Sequence, residues 1–381
     1  MSKPFYDTLR FGILGGGQLG RMLLQKAADF NISNKVLDPD PEAPCHYLAD
    51  EFVCGSFRDY DTVLNFGRTV DLLTVEIEHV NVDALEQLEK EGIQVFPQSR
   101  VIRLVQDKGL QKIFYRTHGI PTAEFQLLDS VEHIHKYASQ FPFIQKLRKG
   151  GYDGKGVVKL NDVSEIEKGF DEPSILEKLI DFEKEISVLV ARNIHGECKA
   201  FPVVEMEFNP EANLVEYLFS PATISADTEQ KAIQIALNVV QSIQCVGLLA
   251  VEMFLTRSGE ILVNEIAPRP HNSGHQTIEG NTTSQYEQHL RAILGLPLGS
   301  TQITRPSVMV NLLGEKGHTG NAVYEGLDEA LAIPGTHLHL YGKKTTKAFR
   351  KMGHVTVSAD TLEEAKSNAR RIKNLIKVVA S

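Results

Sequence analysis

Phe11-Gly12-Ile13-Leu14-Gly15-Gly16-Gly17-Gln18-Leu19-Gly20 is the stretch that decides the fold class of the N-terminal region. A short apolar run leads through a Gly-x-Gly-x-x-Gly turn into a helical pattern, which is typical of a Rossmann-like strand, turn and helix. Asp38 follows about twenty residues later, where dinucleotide-binding domains place an acid for a ribose hydroxyl. The stretch predicts either an NAD(P) oxidoreductase or a Rossmann-like domain whose glycine turn serves packing or another phosphate ligand.

Apolar runs and helical patterns alternate around this turn. The apolar runs lie at residues 11–14, 35–37, 71–75 and 93–96, and helical patterns begin at Gln18 and extend from Asn81 to Glu91. This alternation predicts a parallel, doubly wound α/β sheet. Glu76 and Glu78 are expected at its carboxyl edge, where open parallel sheets bind ligands. The pattern changes near residues 97–99, so we predict a domain boundary near residue 105.

The rest of the chain is richer in strand-like runs. They lie at residues 141–145, 174–177, 186–191, 198–203, 248–255 and 261–266, and two shorter runs follow at 337–341 and 354–357. Residues 232–251 carry no charge, but polar residues at helical spacing and the break at Gly247 predict a helix, a turn and a strand rather than a membrane span. A capping box that begins at Thr361 predicts a helix that ends the chain.

A second glycine-rich loop is strongly basic. Lys146-Leu147-Arg148-Lys149-Gly150-Gly151-Tyr152-Asp153-Gly154-Lys155-Gly156 holds four glycines and four basic residues. Glycines let backbone N–H groups turn towards an anion, and lysine and arginine neutralise phosphate charge. The spacing differs from that of a P-loop. The loop therefore predicts a phosphate site of another kind, and the alternative is a solvated basic hairpin.

Residues 247–265 predict a β-hairpin that carries two carboxylates. If Thr256 opposes Gly259, Glu252 faces Val263 and Glu265 faces Ala250. The two glutamates are then diagonal neighbours on one face, with Cα atoms about 7–8 Å apart. Such a pair suits Mg²⁺ held together with nucleotide phosphates; two surface glutamates are the alternative.

Two polar segments follow the hairpin. Arg269, His271 and Asn272 lie in a proline-stiffened run, and donors of these types suit a small oxyanion. Residues 341–354 carry five Lys and Arg residues and no acid, so this segment is either a solvated face or a loop that closes over a phosphorylated substrate.

Charge and composition exclude several classes of protein. The chain has 381 residues with 40 Lys+Arg against 49 Asp+Glu, and its net charge of −9 argues against a general nucleic-acid binder. The four cysteines have no metal-binding or disulfide spacing. The first residues lack the apolar segment of a secretion signal, so we expect a cytoplasmic protein with no membrane partner.

Taken together, these strings resemble the ATP-grasp superfamily of carboxylate–amine ligases, and within it the N5-carboxyaminoimidazole ribonucleotide synthetases of purine biosynthesis. The resemblance rests on residues 15–22, 76–80, 106–108, 150–156, 264–275 and 350–354. It implies an α/β ATP-grasp architecture with a Rossmann-like domain over residues 1–105, a two-part α+β ATP-grasp domain over 106–299 and a small β-rich C-terminal domain over 300–381. It also implies a homodimer.

The implied activity is that of an ATP-dependent C–N ligase. ATP would phosphorylate bicarbonate to carboxyphosphate, which yields CO₂ for the amine of 5-aminoimidazole ribonucleotide, and ADP and phosphate would leave. Mg²⁺ is the implied metal, and Mn²⁺ is a possible substitute. The competing hypotheses are another ATP-grasp ligase, such as a formate-dependent glycinamide ribonucleotide transformylase or a biotin carboxylase, the NAD(P) oxidoreductase and a non-enzymatic ATP-binding regulator.

The resemblance also implies a role for each candidate residue. The ATP-binding residues would be Lys108, Lys146, Gly151, Tyr152, Asp153, Gly154, Lys155, Gly156, Glu177, Lys178, Glu185, Asn264 and Glu265, with Glu177 and Lys178 at the adenine edge and Glu185 at the ribose. Glu252 and Glu265 would bind the metal. Arg269, His271 and Asn272 would hold bicarbonate or its phosphorylated form. The ribonucleotide would meet Tyr152, Asp153, Lys155, Lys343, Arg350, Gln18, Leu19 and Glu78, and Asp153 would handle the amine proton.

The chain departs from the family pattern at two places. Phe208 stands where some relatives have a histidine near the nucleotide, and Lys347-Ala348-Phe349-Arg350 replaces the more usual Arg-Pro-Gly-Arg. The second departure falls in the segment expected to bind the substrate phosphate.

Overall fold

The computed structural model describes residues 5–6, 8–151, 156–211 and 214–381. Its N-terminal part is a parallel sheet with the strand order β3-β2-β1-β4-β5. The strands are β1 (Arg10–Leu14), β2 (Ser33–Asp38), β3 (Glu51–Cys54), β4 (Leu72–Val75) and β5 (Gln94–Val95), and the helices are α1 (Gln18–Asp29), α2 (Tyr60–Gly67), α3 (Val82–Lys90) and α4 (Ser99–Val105). The predicted Rossmann-like sheet is confirmed.

Local chemistry explains where two of these helices begin. Asp59 and Asn81 cap α2 and α3, because their side-chain oxygens accept the N–H groups of Thr62 and Ala84. All four residues of β4 are buried, as expected for a central parallel strand that helices cover on both faces. The carboxyl ends of β1 and β4 therefore point their following loops towards the same edge of the sheet.

A small antiparallel sheet follows, with the strand order β6-β9-β7-β8. It consists of β6 (Phe125–Leu128), β7 (Phe143–Leu147), β8 (Val157–Leu160) and β9 (Ser174–Lys178), preceded by α5 (Lys108–Thr117). Two 3₁₀ segments, Val131–Gln140 and Val163–Lys168, cover its apolar side through Ile134 and Ile166. This sheet is one half of the predicted two-part domain.

The large antiparallel sheet has the order β15-β14-β10-β12-β13-β16-β20-β18 in the described chain, and β11 pairs with β10. Its strands are β10 (Phe182–Arg192), β11 (Cys198–Ala200), β12 (Val204–Asn209), β13 (Leu214–Ser220), β14 (Gly247–Thr256), β15 (Ile261–Ala267), β16 (Ser307–Leu313), β18 (Thr336–Leu340) and β20 (Lys351–Ser358). Because β13 pairs with β16, the sheet continues across the boundary predicted at residue 299.

The helices of this part pack on the large sheet. They are α6 (Ala226–Ile243), α7 (Thr277–Gly280) and α8 (Gln285–Ile293), with a 3₁₀ turn at Asn272–Gly274. α6 ends before Gln244, which is left-handed, and Gly247 opens β14 with a φ of 110°, so the predicted helix, turn and strand are confirmed. Within the described part of the chain, no helix combines the length and apolar character needed to cross a bilayer.

The C-terminal elements are β17 (Gly320–Glu325), α9 (Leu327–Leu331), β19 (Thr345–Thr346), α10 (Leu362–Leu375) and β21 (Lys377–Ala380). Thr361 caps α10 by accepting the Glu364 N–H, as the capping box predicts. The prediction that this helix ends the chain was wrong, because Val379 in β21 pairs with Val323 in β17. The strand–helix–strand arrangement packs its apolar faces against β16 and β20.

Candidate active site

A cavity of about 380 Å³ lies between the small sheet and the large sheet. Its walls carry most of the residues predicted for nucleotide and metal, namely Lys108, Lys146, Gly151, Glu177, Lys178, Glu185, Glu252, Asn264 and Glu265, together with two of the predicted bicarbonate residues, His271 and Asn272. A second groove of about 600 Å³ beside the start of α6 contains none of the predicted residues. The first cavity is therefore the candidate active site.

The two carboxylates of the β14–β15 hairpin face each other directly. Glu252 pairs with Glu265, whereas Met253 pairs with Val263, so a β-bulge lies at Asn264. The predicted diagonal arrangement was wrong for two reasons. The turn has three residues, because the Thr256 N–H donates to the Glu260 carbonyl at 2.9 Å, and Gly259 within it has a φ of 84°. The bulge then shifts the register by one more residue.

The two facing carboxylates have too little positive charge beside them to balance both. Burial, together with Glu265 and Glu185, raises the pKa of Glu252 to about 8. Glu265 forms an ion pair with Lys108, which is the main reason that its pKa falls to about 2. His271 Nε2 lies 3.6 Å from a carboxylate oxygen of Glu252. A divalent cation bound between the two glutamates would relieve their repulsion, so these residues fit Mg²⁺.

The described residues contain no cluster of three or more His, Cys, Asp or Glu side chains that could hold a metal ion. Glu252 and Glu265 alone do not complete the coordination of a cation, so other oxygen ligands would share it. Nucleotide phosphates are such ligands, because Mg²⁺ is usually held by one or two carboxylates together with substrate phosphates and water.

Two further lysines converge on the buried Glu177. Lys146 Nζ lies 2.8 Å from one carboxylate oxygen of Glu177, and Lys112 Nζ lies 2.9 Å from the other. Lys146 also donates to Asn264 Oδ1 at 2.9 Å. Burial alone would raise the pKa of Glu177, but the two lysines lower it to about 2. Because this carboxylate faces the lysines, any contact of Glu177 with an adenine would have to use its main chain.

Lys112 was missed by the sequence analysis. It is 3% exposed, and its Nζ also donates to Thr122 Oγ1 at 2.5 Å. The signal was present in the spacing of Lys108 and Lys112, since residues four apart share one face of a helix. Asp107 caps the same helix and binds Arg148 through two hydrogen bonds of 2.9 and 2.7 Å, which fixes α5 against the start of the basic glycine loop.

The opposite end of the cavity is mainly apolar. Its walls there are formed by Ile144, Val157, Leu179, Ile180, Phe182, Phe208, Leu214, Val215 and Phe254. The rings of Phe182 and Phe254 stack with centroids 4.8 Å apart. Glu185 lies on the same wall, and burial raises its pKa to about 7. An apolar pocket with a carboxylate beside it suits a purine base and a ribose hydroxyl.

The predicted oxyanion residues Arg269, His271 and Asn272 follow β15, and His271 lies next to Glu252. Arg269 forms an ion pair with Glu78 at 2.7 Å. Glu78, predicted to meet the ribonucleotide, is thus joined to Arg269, predicted to hold bicarbonate. His271 and Asn272 line the cavity. The side-chain nitrogen of Asn272 is buried and has no hydrogen-bond acceptor among the described residues, which is what a donor reserved for a ligand would show.

The first glycine turn is occupied by carboxylates of the protein itself. Gly16 donates its N–H to Asp38 Oδ2 at 2.6 Å, and Gly20 donates to Glu76 Oε2 at 3.2 Å. A Cβ placed on Gly17 would lie 2.7 Å from Glu76 Oε1. The dinucleotide alternative was therefore wrong, since Asp38 and Glu76 take the donors and the space that a pyrophosphate would need. Gln18 opens α1 and Leu19 is buried, and neither lines the cavity.

The basic C-terminal segment is folded on itself. Lys343 donates to the carbonyl of Lys351 at 2.8 Å, and Arg350 donates to the carbonyl of Thr345 at 2.7 Å. Lys351, which was not predicted, reaches the cavity wall, whereas Lys343 and Arg350 do not. Phe349 has a φ of 62°, a left-handed conformation that favours glycine. Residues 152–155, with the predicted Tyr152, Asp153, Gly154 and Lys155, lie outside the described residues, and Gly156 follows them at a φ of 74°.

Comparison with protein families defines the class first. Residues 113–286 match the family model of the ATP-grasp domain, residues 9–106 match the ribonucleotide synthetase preATP-grasp domain, and residues 307–368 match the phosphoribosylaminoimidazole carboxylase C-terminal domain. The chain thus has the domains of an ATP-grasp ligase.

Individual relatives narrow this class to one family. A crystal structure of N5-carboxyaminoimidazole ribonucleotide synthetase from Thermotoga maritima is 43% identical, with a TM-score of 0.91 over 98% of this chain and 100% of that chain. A structure of the Aspergillus clavatus synthase is 35% identical, with a TM-score of 0.89 over 97% and 98% of the two chains. The chain belongs to the N5-carboxyaminoimidazole ribonucleotide synthetase family.

One similar protein is longer than this chain. The chloroplastic phosphoribosylaminoimidazole carboxylase of Vigna aconitifolia is 40% identical over 94% of this chain, and the match covers 65% of that protein. The chain therefore spans about two thirds of the length of this relative.

Proposed function

We propose that the protein uses ATP and bicarbonate to carboxylate the amine of 5-aminoimidazole ribonucleotide, which gives N5-carboxyaminoimidazole ribonucleotide, ADP and phosphate. One observation carries the proposal. The facing carboxylates of Glu252 and Glu265 share one cavity with Lys108, Lys146, His271 and Asn272. A site for metal and phosphate thus adjoins a site for a small oxyanion. The Aspergillus clavatus structure, described as a complex with ADP and 5-aminoimidazole ribonucleotide, supports the choice of substrate.

The nucleotide would lie along the cavity. Its base would enter the apolar end beside Lys178 and Phe208, and its ribose would meet Glu185. The phosphates would lie against Lys108, Lys146 and the glycine loop of residues 150–156. Mg²⁺ held by Glu252 and Glu265 would neutralise charge on the transferred phosphoryl group.

The oxyanion residues would position bicarbonate for phosphorylation. Arg269, His271 and Asn272 would hold it beside the terminal phosphate, so that one of its oxygens attacks phosphorus and ADP leaves. Loss of phosphate from carboxyphosphate gives CO₂. The exocyclic amine of the ribonucleotide then forms the new C–N bond and loses a proton, for which Asp153 is the proposed acceptor. A closed site would protect carboxyphosphate from water.

The ribonucleotide would bind between the N-terminal sheet and the basic segment. Gln18, Leu19 and Glu78 would meet it from one side, Lys343 and Arg350 from the other, and Tyr152, Asp153 and Lys155 would come from the glycine loop. We further propose that the protein acts in the cytoplasm as a homodimer, as the resemblance to its family suggests.

ADP release tests the proposal. The purified protein is incubated with MgATP in the presence or absence of bicarbonate and 5-aminoimidazole ribonucleotide, and ADP is measured by a coupled assay. We expect rapid release only when both are present. Glycinamide ribonucleotide with formate serves as the control pair of substrates. ADP release that ignores 5-aminoimidazole ribonucleotide would refute the proposed function.

A further inference from the structure

Three of the sequence strings that carry the family resemblance end at one buried cluster. Met22, His275 and His354 are the last residues of residues 15–22, 264–275 and 350–354. None of them lines the nucleotide cavity. They meet one another through Tyr286, Tyr341 and His339, and we call the group of His275, His339, His354, Tyr286 and Tyr341 the histidine joint. The last residue of each string therefore has no role in the proposed chemistry.

The joint is a stack of three imidazole rings. The rings of His275 and His354 lie 4.6 Å apart with an interplanar angle of 22°, and those of His354 and His339 lie 4.4 Å apart at 12°. His354 and His339 are also direct cross-strand neighbours on β20 and β18. At its outer end His339 Nε2 lies 2.7 Å from Glu279. The stack thus connects the loop after β15 with two strands of the C-terminal segment.

Hydrogen bonds fix the rings of the stack. The Tyr341 hydroxyl lies 3.0 Å from His354 Nδ1. The Tyr286 hydroxyl lies 3.2 Å from His275 Nδ1 and 3.4 Å from the Met22 sulfur. His275, His354, Tyr286 and Tyr341 are at most 2% exposed. His354 Nε2 is buried and has no partner among the described residues, so the neutral ring is favoured there because an unpaired buried charge is costly.

The joint is connected to both substrate-facing segments by short links. Gln285 donates to His275 Nδ1 at 3.1 Å, and it holds the backbone of His271 by accepting its N–H at 2.7 Å and donating to its carbonyl at 2.8 Å. On the other side, His354 comes three residues after Lys351. Tyr341 comes two residues before Lys343, which donates to the Lys351 carbonyl. The histidine joint therefore anchors each segment within three residues of the side chains that are proposed to face the substrates.

We propose that His275 and His354 are positioning residues that fix the distance between the oxyanion loop of residues 269–272 and the basic segment of residues 343–351. This inference rests on the proposed function, since it assigns bicarbonate to the first segment and the ribonucleotide to the second. The bond-forming atoms come from these two substrates, so a shift between the segments separates them. MgATP is held mainly by residues of other strands, so its binding depends little on the joint.

Variants of His354 test this inference. His354→Val removes the ring from a strand position that suits valine, and His354→Phe keeps a ring in the stack but loses the bond to Tyr341. We expect His354→Val to raise the KM values for bicarbonate and 5-aminoimidazole ribonucleotide about tenfold, because small misplacements near reacting groups are costly. The KM for ATP should change less than about twofold, and His354→Phe should restore most of the loss. Tyr341→Phe removes the same hydrogen bond from the other side and should match His354→Phe.

Two controls separate positioning from stability. His337→Phe changes an exposed histidine on β18, the strand that carries His339, and should leave all three KM values unchanged. Thermal melting gives the folded fraction of each variant. If His354→Val only lowers the melting temperature and the amount of active protein, with KM values like those of the wild type, the inference is wrong. If the wild type itself shows no release of ADP that depends on both substrates, the proposed function falls first and takes this inference with it.

Discussion

The buried carboxylate of Glu177 forms ion pairs with both Lys112 and Lys146. Because the two lysines share its charge, Lys112 affects how strongly Glu177 attracts Lys146. Lys112 and Lys146 approach different oxygens of Glu177. If Lys112 is removed, the full negative charge of Glu177 falls on Lys146 and draws it away from a phosphate. The position of one lysine thus depends on another that never reaches the nucleotide cavity.

Lys112→Met is therefore expected to raise the KM for ATP about tenfold while the KM for bicarbonate changes little. The double variant Lys112→Met with Glu177→Gln should recover part of the loss, because it removes both charges together. Steady-state kinetics with each substrate varied in turn checks this. Arg116→Gln, which removes an exposed charge one turn further along α5, is the control. An unchanged KM for ATP in Lys112→Met would show that Glu177 does not restrain Lys146.

Asp153 belongs to the basic glycine loop of residues 146–156. The family resemblance assigns it the proton of the attacking amine. Asp153→Asn keeps the size of the side chain and removes the base, so ligation should fall by about a hundredfold or more while the Kd for MgATP stays near that of the wild type. Product formation and nucleotide titration measure the two effects. Near-normal turnover would remove Asp153 from the mechanism.

At the scale of elements, the β14–β15 hairpin shows what the sequence could and could not predict. The alternation of apolar residues identified both strands and the shared face of Glu252 and Glu265. The bulge at Asn264 could not be predicted, because it depends on contacts with other segments, such as the pairing of Thr122 with Val263. The same limit applies to the first glycine turn, where only the folded sheet shows that Glu76 occupies the loop.

The two glutamates of the hairpin should respond differently to neutralisation. Glu252→Gln removes a charge that burial already disfavours, so the stability of the ligand-free protein should stay the same or rise. Glu265→Gln removes the ion-pair partner of Lys108, and because the Glu265 side chain is 43% exposed, it should lower stability by about 1 kcal/mol or less. Both variants should need more Mg²⁺ for activity. Thermal melting without ligand and Mg²⁺ titration of the activity measure these effects; equal destabilisation by both would contradict the assigned charge states.

The occupied glycine turn gives a second test at this scale. MgATP at a hundred times its Kd should stabilise the protein by about 2.7 kcal/mol, because a ligand that binds only the folded state shifts unfolding. NADPH at the same concentration should produce no shift, since Asp38 and Glu76 fill its expected site. A thermal-shift experiment with both ligands decides this, and stabilisation by NADPH would restore the dinucleotide alternative.

At the scale of the whole molecule, His289 joins the N-terminal sheet to the large sheet. Its Nδ1 accepts the Leu248 N–H at 3.1 Å, and its Nε2 lies 3.0 Å from the Thr74 hydroxyl of β4. Burial lowers the pKa of His289 to about 4 from its ordinary value of 6.5. Sequence patterns could not have revealed this contact, because the two partners are separated by 215 positions.

This histidine should make stability depend on pH. Between pH 6.5 and 4 the unfolded chain binds a proton at this position that the folded protein excludes. The free energy of unfolding should therefore decrease by about 1.4 kcal/mol for each pH unit of acidification from this group alone. Urea unfolding at several pH values measures the slope. His289→Gln should reduce the proton uptake on unfolding by about one, and an unchanged uptake would show that His289 is protonated in the folded state.

Because β13 pairs with β16, the C-terminal segment protects one edge of the large sheet. β16, β20 and β18 cover one edge of the large sheet, so a chain ending at residue 299 would present the bare backbone of β13 to solvent. A long uncovered edge strand is a template for joining to other chains. The segment from β16 onwards therefore keeps the backbone of β13 from pairing with another chain.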